Sequence, residues 1–264
     1  MFHDVSPSEV AVLLRVASYN VRSMRDDAAA LGRVITALHA DVLCVQEAPR
    51  FLGWRHRRGR LAASGGLTVA AGRRPGGVAV LVGRDVRLLC GEGHLLKYFP
   101  GLERRALAIA VVEAGGQRVA VGSIHLDLDA AARSYHAGEA LALLRAAAGR
   151  FDALPVLAGD INEHSHDPTW RFLAGQLADC YPVSPRGDGL TFPSRRPRER
   201  IDAIFAAAGL QVISCGGAGA GPADLAAATD HLPVVAELGL PTSDRRSIKG
   251  SGTRDRMCPV PFGA

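Results

Sequence analysis

Short apolar segments that end abruptly in a polar side chain recur along the chain. Five of them predict strands, and the polar residues at or beside their ends are Asn20, Glu47, His125, Asp160 and the consecutive residues Asp230 and His231. Strands often end in polar turns, so each single case has an ordinary explanation. Five cases together predict that the strand ends converge on one rim, where loops present reactive groups on a rigid scaffold.

Further apolar segments complete the pattern of a two-sheet protein. Six of them predict strands, at 66–71, 77–82, 105–112, 201–205, 210–214 and 232–238. Leu31, Val34, Ile35 and Leu38 recur at helical spacing, and the Ala/Leu-rich stretch 130–148 predicts another helix. Many of the strands are apolar at nearly every position, so both faces of their sheets must be covered. We therefore predict an α/β fold with two sheets packed face to face and helices outside.

Composition and charge set the domain organisation. The chain has 264 residues, 48% of them hydrophobic, which is enough to bury a large core. We expect one domain over residues 1–240, because no Pro/Ser-rich or charged linker interrupts it. Residues 241–264 carry five Lys/Arg and two Asp/Glu with few large apolar side chains, which predicts a disordered basic tail. This tail supplies more than half of the formal net charge of +5, so that charge says little about the site.

Cysteine usage and hydropathy indicate the compartment. The five cysteines are odd in number, widely spaced and never form a C-x-x-C pair, which argues against a disulfide scaffold or a structural zinc site. The N-terminus lacks the pattern of a signal peptide, and no apolar run reaches the roughly 20 residues of a membrane helix. We expect a cytoplasmic monomer without a membrane span.

Six short motifs follow one another along the chain and carry a family resemblance. They are Ser18-Tyr19-Asn20, Val45-Gln46-Glu47, Ser123-Ile124-His125-Leu126-Asp127, Gly159-Asp160-Ile161-Asn162, Arg200-Ile201-Asp202 and Thr229-Asp230-His231. This series resembles the endonuclease/exonuclease/phosphatase superfamily, which includes DNase I-like nucleases, sphingomyelinases, inositol-polyphosphate phosphatases and deadenylases. The resemblance implies a four-layer α/β sandwich with two mainly antiparallel sheets, and a divalent-metal-dependent hydrolase of phosphate esters.

The same resemblance implies a metal site and a nucleophile site. Glu47 is similar to the principal ligand of Mg²⁺ or Mn²⁺, a type of cation that prefers carboxylate oxygen. Asn20 and Asp230 resemble the residues that complete or orient the metal shell. Asp160 would orient or deprotonate the attacking water, and Asn162 would donate a hydrogen bond to a phosphoryl oxygen.

Histidines complete the implied catalytic set. The resemblance pairs His231 with Asp202, so that the carboxylate fixes the imidazole tautomer and favours its protonated form. The pair would stabilise the transition state or act as acid or base, and the sequence leaves both roles open. His125 resembles a phosphate-contacting position. Ala203 stands where the family frequently has Tyr, a departure that removes no catalytic group.

Two arginine runs flank the motifs. Arg50, Arg55, Arg57, Arg58 and Arg60 follow Glu47, and Arg195, Arg196, Arg198 and Arg200 precede Asp202. They predict either an electropositive mouth that attracts phosphate groups, with Arg55 and Arg200 as substrate-binding residues, or an exposed loop in an arginine-rich chain. We weigh the two explanations equally.

Three other sequence patterns are explained by helix caps or loops and do not indicate a functional site. Asp167 before Pro168 fits a helix N-cap better than a zinc cluster with His164 and His166. Asp127 and Asp129 are explained equally well as caps at a helix start. The glycine-rich stretch 215–221 lacks the pattern of a phosphate-binding loop and is predicted to be a flexible loop.

Several functions remain open within and beyond the phosphoesterase hypothesis. The substrate is a phosphate ester of a small molecule, a lipid head group or a nucleic acid, so a DNA or RNA nuclease and a pathway-specific metabolite phosphatase both remain. A non-catalytic module that binds a phosphorylated ligand is the alternative from another class. The filled catalytic positions argue against that module.

Overall fold

Two mixed sheets of seven and six strands face each other in the computed structural model, which describes residues 12–241. The strands are β1 (Val12–Asn20), β2 (Val42–Gln46), β3 (Thr68–Ala71), β4 (Ala79–Val82), β5 (Arg87–Leu95), β6 (Ala106–Ala114), β7 (Gln117–His125), β8 (Leu154–Asp160), β9 (Ala178–Asp179), β10 (Pro185–Arg186), β11 (Asp202–Ala206), β12 (Gln211–Gly217) and β13 (Val234–Leu240). The predicted basic tail lies outside the described residues, apart from Pro241.

The parallel pairs β1 with β2 and β7 with β8 belong to different sheets and contact each other across the sandwich. The larger sheet runs β10-β12-β13-β1-β2-β4-β3, and the smaller runs β5-β6-β7-β8-β11-β9. Neighbouring strands are antiparallel except in the pairs β1 with β2, β7 with β8, and β10 with β12. Because parallel strands begin and end at the same edge, the ends of β1 and β2 share one rim, as do those of β7 and β8.

Helices cover the outer faces of both sheets. The helices are α1 (Ala28–Leu38), α2 (Trp54–Ser64), α3 (Ala130–Phe151), α4 (Pro168–Ala174), α5 (Cys180–Val183) and α6 (Pro222–Ala228), with a 3-10 turn at Arg22–Met24. Asp27 and Asp129 cap α1 and α3 by accepting backbone N–H groups of the first turn. Asp167 occupies the N-cap of α4 with Pro168 next, as predicted, although its carboxylate accepts from the backbone of His164.

Three apolar clusters correspond to the three interfaces of a four-layer sandwich. Alternate residues of one strand serve different clusters: Leu14 and Val16 of β1 lie in the cluster between the sheets, whereas Ala17 and Tyr19 pack with α1. A third cluster joins the smaller sheet to α3 and α4. The predicted fold class is confirmed.

Some elements differ from the prediction. Strand β5 and helix α2 were not predicted, and the stretch expected to be a glycine-rich loop begins as strand, because residues 215–217 belong to β12. Gly216 has φ +156° and a Cβ there would lie 1.8 Å from the Arg186 carbonyl oxygen, so the glycine permits pairing with β10.

The cysteines give a mixed result. Cys44, Cys180 and Cys215 are buried free thiols. Cys90 is disulfide-bonded, although the number and spacing of the cysteines argue against a disulfide scaffold. Within residues 12–241 none of the helices has the length and apolar character needed to cross a membrane.

Leu144 tests the packing of α3 on the smaller sheet. It is fully buried in the cluster that joins them, and Leu143 on the same helix is only partly buried. We expect Leu144→Ala to lower the free energy of unfolding by about 2–5 kcal/mol, because the truncation leaves a cavity. Leu143→Ala is the matched control and should cost clearly less. Urea unfolding measures both, and equal losses would contradict the assignment.

Candidate active site

Strand register brings three titratable side chains to one point on the rim. His125 is the last residue of β7 and pairs with Asp160, the last residue of the parallel strand β8. Asp202 opens the antiparallel strand β11 and lies opposite Asp160 on its other side. In the larger sheet, Asn20 ends β1 and Glu47 directly follows β2. The predicted convergence of strand ends is therefore what the fold produces.

The Asn20 amide links the two sheets. Its Nδ2 lies 3.2 Å from Glu47 Oε1 and 3.1 Å from Asp160 Oδ2. Its Oδ1 accepts from the Arg22 backbone, and the Thr229 hydroxyl donates to its carbonyl oxygen. Because both amide atoms and the backbone are held, Asn20 fixes the separation between the two carboxylates.

His231 lies between two buried carboxylates. Its Nδ1 is 2.9 Å from Asp202 Oδ2, and its Nε2 is 3.7 Å from Asp160 Oδ2. His125 Nε2 approaches the same Asp160 oxygen at 3.5 Å. Among the described residues, Asp160, Asp202 and His231 also form a group whose ligand atoms lie within 4.8 Å of one another.

The two histidines hold opposite protonation states. Burial lowers the pKa of His231, but the charges of Asp202 and Asp160 and the hydrogen bond to Asp202 outweigh it and raise the pKa to about 10. Burial dominates at His125 and lowers its pKa to about 4, although Asp160 opposes this. At neutral pH His231 is therefore a cation without a free lone pair, and His125 is neutral. Burial and the Asp202 charge raise the pKa of Asp160.

Backbone strain marks the residues that face the cleft. Glu47 and Asn162 have φ of 46° and 54°, in the left-handed region that most residues avoid. The Asn162 backbone donates to Asp160 Oδ1, and its amide donates to the Leu126 carbonyl. Gly159 precedes this turn, and a Cβ there would lie 1.9 Å from the Ile124 carbonyl oxygen. The glycine of the G-D-x-N motif thus permits the close pairing of β7 with β8.

A cleft of about 840 Å³ opens over these groups. Glu47, His125, Asp160, Asn162 and His231 all line it. Asn20 and Asp202 lie beneath its floor, both almost completely buried. The structure thus brings seven of the ten predicted site residues together.

Asp230 lies outside the catalytic cleft. Its carboxylate is 3.3 Å from Arg22 Nε and accepts from the Thr229 hydroxyl, and it lines a separate surface cleft. Asp230 is not among the residues that line the catalytic cleft, whereas the next residue, His231, is.

Arg55 and Arg200 also lie outside the catalytic cleft. Arg55 stacks over the Trp54 ring at 5.0 Å. Arg200 makes two hydrogen bonds to the Asp179 carboxylate and lies over Trp170. Neither residue is among those that line the catalytic cleft, and the assignment of Arg55 and Arg200 as substrate-binding residues stays a prediction.

Arg25 and Phe192 are two of the cleft residues that the sequence did not point to. Arg25 lines the cleft from the turn after β1, and its place one turn beyond Asn20 was the available signal. Phe192 also lines it and packs on the His231 ring with centroids 4.9 Å apart. No sequence pattern marked Phe192, because its position depends on a turn that pairs it with Glu199.

Comparison with known proteins assigns this arrangement to a family. Residues 17–231 match the model described as the Endonuclease/Exonuclease/phosphatase family. No curated protein matches the chain.

Solved structures share the fold. An endonuclease/exonuclease/phosphatase from Bacteroides vulgatus is 20% identical with a TM-score of 0.73, and the match covers 87% of this chain and 99% of that one. A mannosyl-6-phosphatase from Bacteroides thetaiotaomicron is 20% identical with a TM-score of 0.69, over 85% and 99% of the two chains. TDP2 from C. elegans is 16% identical with a TM-score of 0.65, over 88% and 76%.

The two histidines should titrate at opposite ends of the pH scale. In metal-free protein we expect the His231 ring to titrate near pH 10 and His125 near pH 4, as followed by NMR of the ring protons. Asp202→Asn should lower the His231 value by roughly 1–3 pH units, because it removes the paired charge.

The same shift predicts a stability effect. The folded-state pKa of His231 lies above its unfolded value of about 6.5, so the pairing stabilises the fold fully below that pH. The contribution is lost as the pH rises towards about 10. A His231 resonance that titrates near 6.5 in the unmodified protein would contradict the assignment.

Proposed function

The chain belongs to the endonuclease/exonuclease/phosphatase family, and from that premise we propose that it hydrolyses a phosphate ester with the help of a divalent cation, Mg²⁺ or Mn²⁺. The observation that carries the proposal is the meeting of Glu47, Asp160 and the His231 imidazolium around one cleft. These groups come from distant parts of the chain, and their combination supplies acid, base and cation-binding oxygens in a single site.

The donor set fits a hard cation. Glu47 Oε1 and Asp160 Oδ2 both lie within 3.2 Å of the same Asn20 amide nitrogen, so two carboxylate oxygens from different sheets are held close together. In this proposal Glu47 is the principal ligand, and Asn20 fixes the spacing of the carboxylates. A bound divalent cation would polarise a phosphoryl oxygen and acidify a water.

Asp160 is the proposed acceptor of the proton from the attacking water. Its Oδ1 is oriented by the Asn162 backbone, and its Oδ2 faces both histidines. Burial raises its pKa, which makes the carboxylate a stronger base than an exposed aspartate. As water attacks phosphorus, its O–H proton passes to Asp160, the new P–O bond forms, and the P–O bond to the ester oxygen breaks so that the alcohol leaves.

Three further side chains handle the charge that develops on the phosphoryl group. The His231 imidazolium, held by Asp202, donates a hydrogen bond to a phosphoryl oxygen or a proton to the leaving oxygen. Asn162 retains a second N–H on its amide for the same group. Neutral His125 contacts the phosphate from the β7 side.

Loss of catalysis in Asp160 and His231 variants tests the function. Turnover of bis(p-nitrophenyl) phosphate and p-nitrophenyl phosphate with added Mg²⁺ or Mn²⁺ should fall about 10²–10⁴-fold in Asp160→Ala and His231→Ala, because each removes a proton-transfer or charge-stabilising group. Arg33→Ala is the control and should retain activity, because the Arg33 guanidinium pairs with Asp224 and neither residue lines the cleft. Turnover by neither ester in the unmodified protein, with circular dichroism showing an intact fold, would leave the binding module as the better hypothesis.

Metal affinity separates the residues at the cation site from Asp230. We expect Glu47→Gln to weaken Mn²⁺ binding by about 10–100-fold, measured by isothermal titration, because it removes a charged oxygen ligand. Asp230→Asn should leave the affinity nearly unchanged, since Asp230 pairs with Arg22 on another surface. The reverse ranking would return Asp230 to the metal shell and displace Glu47.

A further inference from the structure

The catalytic cleft carries more negative than positive charge. Eight carboxylates and four guanidiniums line it: Glu47, Glu103, Asp127, Asp129, Asp160, Glu163, Asp167 and Glu199, against Arg25, Arg50, Arg105 and Arg133. Even with His231 protonated, the side chains leave a surplus of negative charge. The positive net charge of the whole chain is therefore not located at the proposed site.

Most of the positive groups in the cleft are already paired. The pairs are Arg50 with Glu103 at 3.0 Å, Arg105 with Asp127 at 3.3 Å and Arg133 with Glu163 at 3.0 Å. Within the described residues, Arg25 is the cleft guanidinium that makes no ion pair. Arg25, the His231 imidazolium and one bound metal suit a single phosphate group.

A nucleic acid needs a different surface. Each strand carries a charge about every 3.4 Å, and affinity comes from a row of Lys and Arg, with aromatic platforms for unpaired bases. Arg55 and Arg200 are held outside the cleft, and Arg195 and Arg196 line the separate cleft beside Asp230. Among the described residues that line the catalytic cleft, Phe192 is the one Phe, Tyr or Trp side chain, and it packs on His231.

Carboxylates at the rim suit hydroxyl groups. Asp167 and Glu199 both line the cleft, with about a third of each side chain exposed, and the ion-pairing nitrogens nearest to them are His166 Nε2 at 3.5 Å and Arg198 Nε at 3.8 Å. The turn that contains Glu199 also brings Phe192 against His231, which places Glu199 near the imidazole. A carboxylate accepts hydrogen bonds only, and a hydroxyl donates one without adding charge.

We infer that the cleft takes a compact phosphate monoester rich in hydroxyl groups, a sugar or polyol phosphate, in preference to a nucleic acid. This inference rests on the proposed function and names its substrate class. The phosphate lies at Glu47, Asp160 and His231, and the hydroxyls donate to Asp167 and Glu199.

A matched pair of substrates isolates the hydroxyl groups. A panel of hexose 6-phosphates and sorbitol 6-phosphate is compared with cyclohexylmethyl phosphate, which has the same primary alkyl leaving group and no hydroxyls. We expect kcat/KM with Mg²⁺ to be at least about 10-fold higher for one or more sugar or polyol phosphates, the effect of one hydrogen bond to a charged group. Equal or faster turnover of the alkyl phosphate overturns the inference.

Two conservative variants link that preference to the rim. Asp167→Asn and Glu199→Gln should each lower kcat/KM for the preferred sugar phosphate about 10-fold and change that for cyclohexylmethyl phosphate less than about twofold. A general loss of stability would lower both values, so the split between them distinguishes contact from misfolding. If neither variant changes the preference, these carboxylates are not the hydroxyl acceptors and the inference fails.

A nucleic-acid comparison completes the design. The same enzyme is given single-stranded and double-stranded oligonucleotides over a range of salt concentrations. Cleavage more efficient than sugar-phosphate turnover and strongly weakened by salt would overturn the substrate class and leave the phosphoesterase proposal intact. Failure of bis(p-nitrophenyl) phosphate and every other ester would instead defeat the proposed function.

Discussion

The site depends on the stabilisation of two like charges that the β-sheet register forces together. Asp160 and Asp202 lie directly opposite each other on antiparallel strands, both nearly inaccessible to water. Facing carboxylates repel, and burial adds a desolvation cost that grows when either lacks a partner. The His231 imidazolium offsets both effects because it contacts Asp202 at 2.9 Å and approaches Asp160. The raised pKa of His231 and that of Asp160 are two consequences of this arrangement.

A single loop holds this ion group in register. The Thr191 hydroxyl accepts the N–H groups of Ile201 and Asp202, and its carbonyl accepts that of Leu232, one residue after His231. Phe192 packs on the His231 imidazole. Ser194 donates to the backbone carbonyls of Thr229 and Asp230, the two residues before His231. The loop at Thr191–Ser194 thus positions both members of the Asp202–His231 pair. The Glu47 and Asn162 side chains are placed in the cleft by strained backbone turns. The apolar core between the sheets supplies the rigidity that such strain requires.

The sequence predicts those site residues whose positions follow from the direction and ends of the strands. Apolar segments that stop at Asn20, Glu47, His125 and Asp160 predict the rim, because strand ends at one edge must meet. Side chains off the strands are not determined in this way. Helix α2 was not predicted because Arg58 occupies one of its buried positions, three residues before Leu61 and four before Ala62, which are also buried. The Arg58 guanidinium donates to backbone carbonyl oxygens there. The ion pair of Arg200 was not predicted for a related reason: its partner Asp179 belongs to a two-residue strand that the sequence pattern does not reveal.

Local charge and total charge therefore lead to different conclusions about the substrate. A pI of about 9.2 suggests that the substrate is a polyanion. Arginines such as Arg33 and Arg87, however, pair with surface carboxylates far from the cleft. Long-range attraction depends on summed charge and is screened within about 8 Å at physiological salt. What a cleft accepts depends on groups inside that distance, and here they are mostly carboxylates. A single phosphate can be neutralised by one cation and one imidazolium, whereas each additional phosphate of a nucleic acid would face a rim that already repels it.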